Sequence, residues 1–288
     1  MTPDDPAASS AASDGDDSAA ALRAHLRALH DDAAGFTEDC ASACLNAAGL
    51  NSYEWLSQAA QPPVPGAVLD LACGSGVLLE LCRKAYPPQT ALSGVDMSPA
   101  ELELARARLR DADVVLHEGL AQHLNFAAAN SFDAVLCHWA LTLMDPLEPA
   151  LAEIARVLRP GGVFAAVVDG PIETAEGYGE ICALIDRHVR AAAPDYAELG
   201  DPRARDGQSL KTLAERVFPN AAVTVETDVF ALEDTAARLA EQTAGFFYSS
   251  FMLTGAAHGA MLTELESFFA AQATPRYEMP VNRLRVLV

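Results

Sequence analysis

The chain has 288 residues, 51% of them hydrophobic, enough for one large domain with a substantial buried core. Its formal charge of −21 sets 19 Lys and Arg against 40 Asp and Glu. That argues against nucleic acid as a partner, because gripping phosphates draws on basic side chains that displace counterions. No uninterrupted apolar run reaches the roughly 18 residues a membrane span needs, so no membrane partner is expected.

Met1 to Ala21 carries Asp4, Asp5, Asp14, Asp16 and Asp17 among Ala and Ser, with neither a basic start nor an apolar centre. It reads as a disordered acidic tail (1–20), not a secretory leader, and a cytoplasmic protein is expected. The six cysteines (Cys40, Cys44, Cys73, Cys82, Cys137, Cys182) form no Cys-x-x-Cys pair, and the seven His are dispersed. Buried reduced thiols and no metal site are the reading.

Leu22, Leu26 and Leu29 place an amphipathic helix over Ala19 to Leu29, and a second helical stretch runs from about Thr37 to Ala48. Asn51 to Leu56 follows, and Pro62, Pro63 and Pro65 mark a stiff connector. Residues 21–65 therefore read as an N-terminal helical lid. From Val68 onward strands and helices alternate, the pattern of a parallel sheet with crossover helices. Val68–Leu71 is a strand, and a small-residue turn, Ala72-Cys73-Gly74-Ser75-Gly76, leads into a helix to about Ala85. Such a turn lets a ligand approach the backbone at a helix N-terminus. Asp70 just before it is a poor neighbour for a phosphate and suits a nucleoside-type cofactor carrying a positive group.

Ala91–Asp96 is the second strand. Ser98 then caps a helix, with Pro99 in its first turn and Glu101 completing a capping box. Val114–His117 and Phe132–Cys137 are the third and fourth strands, and Leu147 to Leu158 is the helix after the fourth. Arg159-Pro160-Gly161-Gly162 stops that helix before a fifth strand over Val163–Val168. Helical and loop material with weak organisation fills about 170–219. Ala222–Phe230 is a sixth strand, a helical segment over about 234–273 breaks at Gly255 or Gly259, and Met279–Val288 is a last strand. The expected frame is an α/β domain over 66–288 with those two helical insertions.

Asp96, at the end of the second strand, can accept both hydroxyls of a ribose, since a carboxylate offers two oxygens. A dinucleotide fold uses an acid in the same way, but its fingerprint wants a third glycine where Val77-Leu78-Leu79 stands. Taken together these motifs resemble the class I S-adenosylmethionine-dependent methyltransferases, in the small-molecule branch typified by the ubiquinone/menaquinone enzymes. The resemblance covers about Val68 to Val168 closely and the rest by general layout. It implies a doubly wound, mostly parallel, seven-stranded Rossmann-like sheet, with N-terminal and inserted helices forming a lid.

The cofactor-binding set that the resemblance implies is Asp70, Ala72, Cys73, Gly74, Gly76, Asp96, Met97, Leu120, Ala121, Gln122 and Cys137. Relatives often have Gly where Ala72 stands, and Gly-Asp-Ala where this chain has Gly119-Leu120-Ala121. Gln122 or the backbone then takes the place of the missing carboxylate. His138 borders the transferable methyl group, as general base, substrate ligand, or partner of the loop or cofactor. Tyr178 is the second catalytic candidate, and an aromatic face for the sulfonium is sought among Tyr53, Trp55, Tyr178 and Phe246-Phe247-Tyr248.

The function so implied is methyl transfer from S-adenosylmethionine to a small-molecule acceptor by in-line displacement. Two other readings stand beside it. One is intramolecular cyclisation of the cofactor to azetidine-2-carboxylate with release of methylthioadenosine, the other non-catalytic binding of the cofactor. Monomer and homodimer are both open.

Overall fold

In a computed structural model, the structure describes residues 20–60, 62 and 66–288. The expected acidic tail lies outside the described residues except Ala20, which is helical, and most of the proline connector lies outside them too. The strands are β1 (Ala67–Leu71), β2 (Ala91–Asp96), β3 (Val114–Glu118), β4 (Phe132–His138), β5 (Leu158–Asp169), β6 (Ala222–Glu233) and β7 (Arg276–Leu287). They form one sheet in the order β3-β2-β1-β4-β5-β7-β6. The pairs among β1 to β5 are parallel, and β7 runs antiparallel between β5 and β6.

The centre of the sheet is buried on both faces. Leu69, Leu71, Val135, Phe164, Ala166 and Val168 face one core, and Val68, Leu136, Ala165 and Val167 face the other. Alternation along each strand produces this split, since successive side chains point to opposite faces. Helices α6 (Glu148–Val157) and α8 (Gly207–Val217) close the first core through Leu151, Ile154, Leu210 and Leu213. The second core is larger and takes α2 (Glu38–Ala43), α3 (Ser52–Ser57), α4 (Val77–Ala85), α7 (Tyr178–Ala192), α9 (Ala236–Phe246) and α10 (Gly255–Ala270). Helix α1 covers 20–32 and turns Leu26 inward, as the leucine spacing requires.

Several boundaries differ from the expected ones, for physical reasons. Helix α2 ends at Ala43, short of Ala48, because Cys44 turns extended and Leu45 exchanges two backbone hydrogen bonds with Ala231 of β6. Strand β5 starts at Leu158, so Arg159–Gly162 lies inside it, where Gly161 meets the chain end through Val288. The 234–273 segment breaks at 247–254, ahead of Gly255, which opens α10 with φ +54°. The 170–219 stretch is better organised than its sequence suggests, with α7 and α8 packed on opposite faces of the sheet. No helix among the described residues is long and apolar enough to cross a membrane.

Chain order decides where a ligand can enter. From β1 the chain winds outward through β2 and β3, then returns to β4 on the other side of β1 and winds away through β5. The loops leaving β1 and β4 therefore diverge and open a crevice at the carboxyl ends of the strands.

Candidate active site

The loop after β1 is shaped by backbone conformations that few residues accept. Ala72 (φ +56°), Gly74 (φ +48°) and Gly76 (φ +83°) are all left-handed. A side chain at the first of these carries a strain of about 1–2 kcal/mol, held in place by the surrounding structure. Asp96 fastens the loop, with one carboxylate oxygen accepting from Gly74 N–H (2.8 Å) and the other from Ser98 N–H (2.9 Å). Each oxygen keeps a lone pair for a further donor. Burial raises the Asp96 pKa, against the lowering effect of those two N–H bonds.

Three carboxylates converge on this loop. Asp70 is 2% exposed, and neither of its oxygens has a partner among the described residues. Burial, and then the charge of Asp96, push its pKa well above the ordinary aspartate range. Glu101 does not complete the expected capping box. Ser98 Oγ does accept from Glu101 N–H, but the Glu101 carboxylate turns to the N-terminal segment. Its Oε1 meets His30 Nδ1 (2.8 Å) and accepts from Gly35 N–H (2.9 Å), while Oε2 is buried with no partner among the described residues. Buried unpaired acceptors are costly, so this cluster fits a ligand that brings positive charge and hydroxyl donors.

A single cavity of about 670 Å³ joins these groups to the end of β4 and beyond. Its walls include Asp70, Ala72, Cys73, Gly74, Asp96, Met97, Leu120, Ala121, Gln122, His138 and Tyr178. Gly76 and Cys137 stand apart from it. A Cβ on Gly76 would press on Ala105 and Leu109 at 3.1 Å, so that glycine serves the contact with helix α5 (Pro99–Arg108). Cys137 is fully buried in the core beneath α6 and α8, because its neighbour in sequence, His138, takes the cavity side. Of the aromatic candidates, Tyr53, Tyr178, Phe246, Phe247 and Tyr248 line the cavity. Trp55 faces away and stacks under the Arg283 guanidinium, 4.2 Å from the ring centre.

His138 is gripped by the N-terminal segment. Its ring stacks on Tyr53, centroids 3.6 Å apart and 17° from parallel, and Nε2 lies 2.9 Å from Ser52 Oγ. Burial holds its pKa well below the usual imidazole value, so the ring is neutral at pH 7. Trp139 next to it is left-handed (φ +61°) and edge-on to Phe246, with its indole N–H buried and unpartnered among the described residues. Across the cavity, Tyr248 O–H and His30 Nε2 are 2.9 Å apart, joining α1 to the turn before α10. Removing that link in Tyr248→Phe should loosen 20–32 by about 0.5–1.5 kcal/mol. Amide hydrogen exchange confined to that segment would show it, and unchanged protection would refute it.

Sequence reasoning did not single out Asp169 and Arg205, which also line the cavity. Asp169 ends β5 one residue past the expected strand, and Arg205 lies in an aperiodic stretch. The signal available was an acid at the carboxyl end of the strand beside β4.

Residues 69–166 match the family described as a methyltransferase domain. Over those residues the chain is similar to methyltransferase domains. A demethylmenaquinone methyltransferase of Symbiobacterium thermophilum is 38% identical to the chain over 101 residues, 34% of this chain and 40% of that protein. A ubiquinone/menaquinone biosynthesis C-methyltransferase of Burkholderia mallei is 32% identical over 154 residues, 53% of this chain and 60% of that protein. The chain thus spans about half the length of these relatives. The YcgJ protein of Bacillus subtilis superposes on 82% of the chain and 97% of its own length, with a TM-score of 0.56 at 16% identity. That likeness is one of fold, and it extends well beyond the matched residues.

Proposed function

We propose that the protein transfers a methyl group from S-adenosylmethionine to a small-molecule acceptor. The carrying observation is the buried Asp70 carboxylate, unpaired and open to the cavity beside the left-handed loop. A cationic amine answers both unpaired oxygens, and a phosphate would be repelled by them. When bound, the cofactor supplies a methyl group activated by a sulfonium. The chain supplies the rest. Asp70 and Glu101 take the ammonium, Asp96 accepts from the ribose hydroxyls, and Met97, Leu120, Ala121 and Gln122 surround the base. Neutral His138, fixed by Ser52 and Tyr53, lines the methyl end as a hydrogen-bonding group, and the aromatic walls keep water out. The N-terminal helices and the 245–261 segment act as the lid. All six cysteines are free, which suits a reducing compartment such as the cytoplasm.

The test is to incubate the protein with S-adenosylmethionine, alone and with candidate acceptors, and identify products by mass spectrometry. S-adenosylhomocysteine formed only with an acceptor is expected. Methylthioadenosine formed without one would establish cyclisation instead, and binding without turnover a non-catalytic role. Asp96→Ala should weaken cofactor binding by about 1.5–3 kcal/mol, one to two orders of magnitude, through lost charged hydrogen bonds. Calorimetry showing the same affinity in the variant would remove the ribose assignment.

A further inference from the structure

The cavity runs past the methyl end to a second polar centre. Asp169 lies two residues past Val167, which pairs with His138 across β4 and β5, so Asp169 and His138 sit at neighbouring strand ends. The Asp169 backbone is fixed by register with Val281 and by Asn282 Nδ2, which donates to its carbonyl (3.1 Å). Its carboxylate lines the cavity and, among the described residues, is met by Arg205 alone, Nε to Oδ2 at 3.3 Å. Beside it one face of α7 presents Tyr178, Cys182 and Ile185 to the cavity. Arg205 is already committed, donating to the carbonyls of Leu199 (2.7 Å) and Thr142 (3.3 Å) and pairing with Glu198 (3.3 Å).

We propose that Asp169 selects and orients the methyl acceptor by accepting a hydrogen bond from an O–H or N–H group on an otherwise apolar molecule. This rests on the methyl-transfer reading of the same cavity. A carboxylate whose second oxygen meets no protein donor among the described residues favours a ligand O–H or N–H. An anionic acceptor meets Asp169 and Glu198, while the guanidinium groups of Arg205 and Arg190 are already paired with Glu198 and Asp186. Arg205 is a positioning residue, holding the carboxylate in place and favouring its charged form. Burial raises the Asp169 pKa, Arg205 lowers it and Glu198 raises it, and Tyr178 and Cys182 both face its charge.

The experiment is calorimetry on the full chain, first with S-adenosylhomocysteine and then, at saturation, with three probes, 4-ethylphenol, 4-ethylanisole and 4-ethylbenzoate. The phenol should bind at least tenfold tighter than the anisole, and the benzoate weakest. In Asp169→Leu the phenol preference should vanish with S-adenosylhomocysteine affinity within twofold of wild type, and Asp169→Asn, keeping one oxygen, should retain part of it. Arg205→Gln should move the loss of preference on acidification to higher pH, because the charge that lowers the Asp169 pKa is gone. A role in folding alone would not shift that profile. Equal affinity for phenol and anisole in the wild type, or a preference surviving in Asp169→Leu, overturns the assignment. Failure to bind S-adenosylhomocysteine overturns the cofactor reading and this one with it.

Discussion

Asp70→Asn is expected to lose most of the cofactor affinity while raising the melting temperature of the ligand-free protein. In the free protein the carboxylate is buried, its oxygens are unpaired among the described residues, and the charge of Asp96 disfavours its ionised form. Removing the charge relieves the repulsion and leaves a smaller desolvation cost for the amide. Each kcal/mol gained raises the melting temperature of a chain this size by roughly 2–4 °C. Binding moves the other way. Hydrogen bonds to a charged group are worth about 1.5–3 kcal/mol, so affinity should fall by about 10- to 150-fold. A variant that loses affinity because it is misfolded would melt lower, and that result would refute the argument.

The sign of the pH dependence follows from the same group. The Asp70 pKa is raised in the folded state, so between the ordinary and the raised value the native protein holds a proton that the unfolded chain has released. Its penalty is complete above the raised pKa and fades as pH falls through that value toward the ordinary aspartate pKa of about 3.9. Glu148, Glu153 and Asp201 carry lowered values, mainly from Arg203 and Arg156, and lose their contribution as pH falls. Subtracting the Asp70→Asn stability curve from the wild-type curve isolates the first effect. The variant's advantage should shrink on acidification, and an advantage that grew would contradict the assignment.

The site was legible in the sequence wherever one short segment carries the whole geometry. The turn from Asp70 to Gly76 must be built from small residues, so composition alone points to it, and Asp96 is conspicuous at a strand end. Gly76 and Cys137 show the limit of that reasoning. A motif glycine serves helix packing as readily as a ligand, and one step along a strand moves a side chain to the other face. Glu101 reads as a local cap, yet His30 and Gly35, some seventy residues earlier, draw its carboxylate away. Strand β7 pairs antiparallel between two distant strands, a non-local arrangement with no local signature. Asp169 and Arg205 meet only because the aperiodic loop before α8 folds back onto the end of β4.

That fold-back is the basis of the second large effect, expected for Gly200→Ala. Gly200 is left-handed (φ +77°), and a Cβ there would lie 2.0 Å from the Thr142 carbonyl oxygen and 2.9 Å from Leu143 Cα. The obstacle is backbone, held by the Asp201 N–H bond to the Met144 carbonyl (2.9 Å), so no side chain can swing aside. Left-handed strain of about 1–2 kcal/mol and overpacking of about 1–3 kcal/mol sum to roughly 2–5 kcal/mol of lost stability. Gly161 supplies the control. It has nearly the same backbone (φ +81°) with nothing within 4 Å of its Cβ position, so Gly161→Ala should cost the strain alone. Chemical denaturation of the two variants separates strain from clash, and equal losses would show that the loop yields. Because Thr142 and Leu199 both hold Arg205, a displaced loop also frees the guanidinium from Asp169. The phenol preference should then collapse in Gly200→Ala while S-adenosylhomocysteine still binds at the Asp70 end, a split that general unfolding cannot produce.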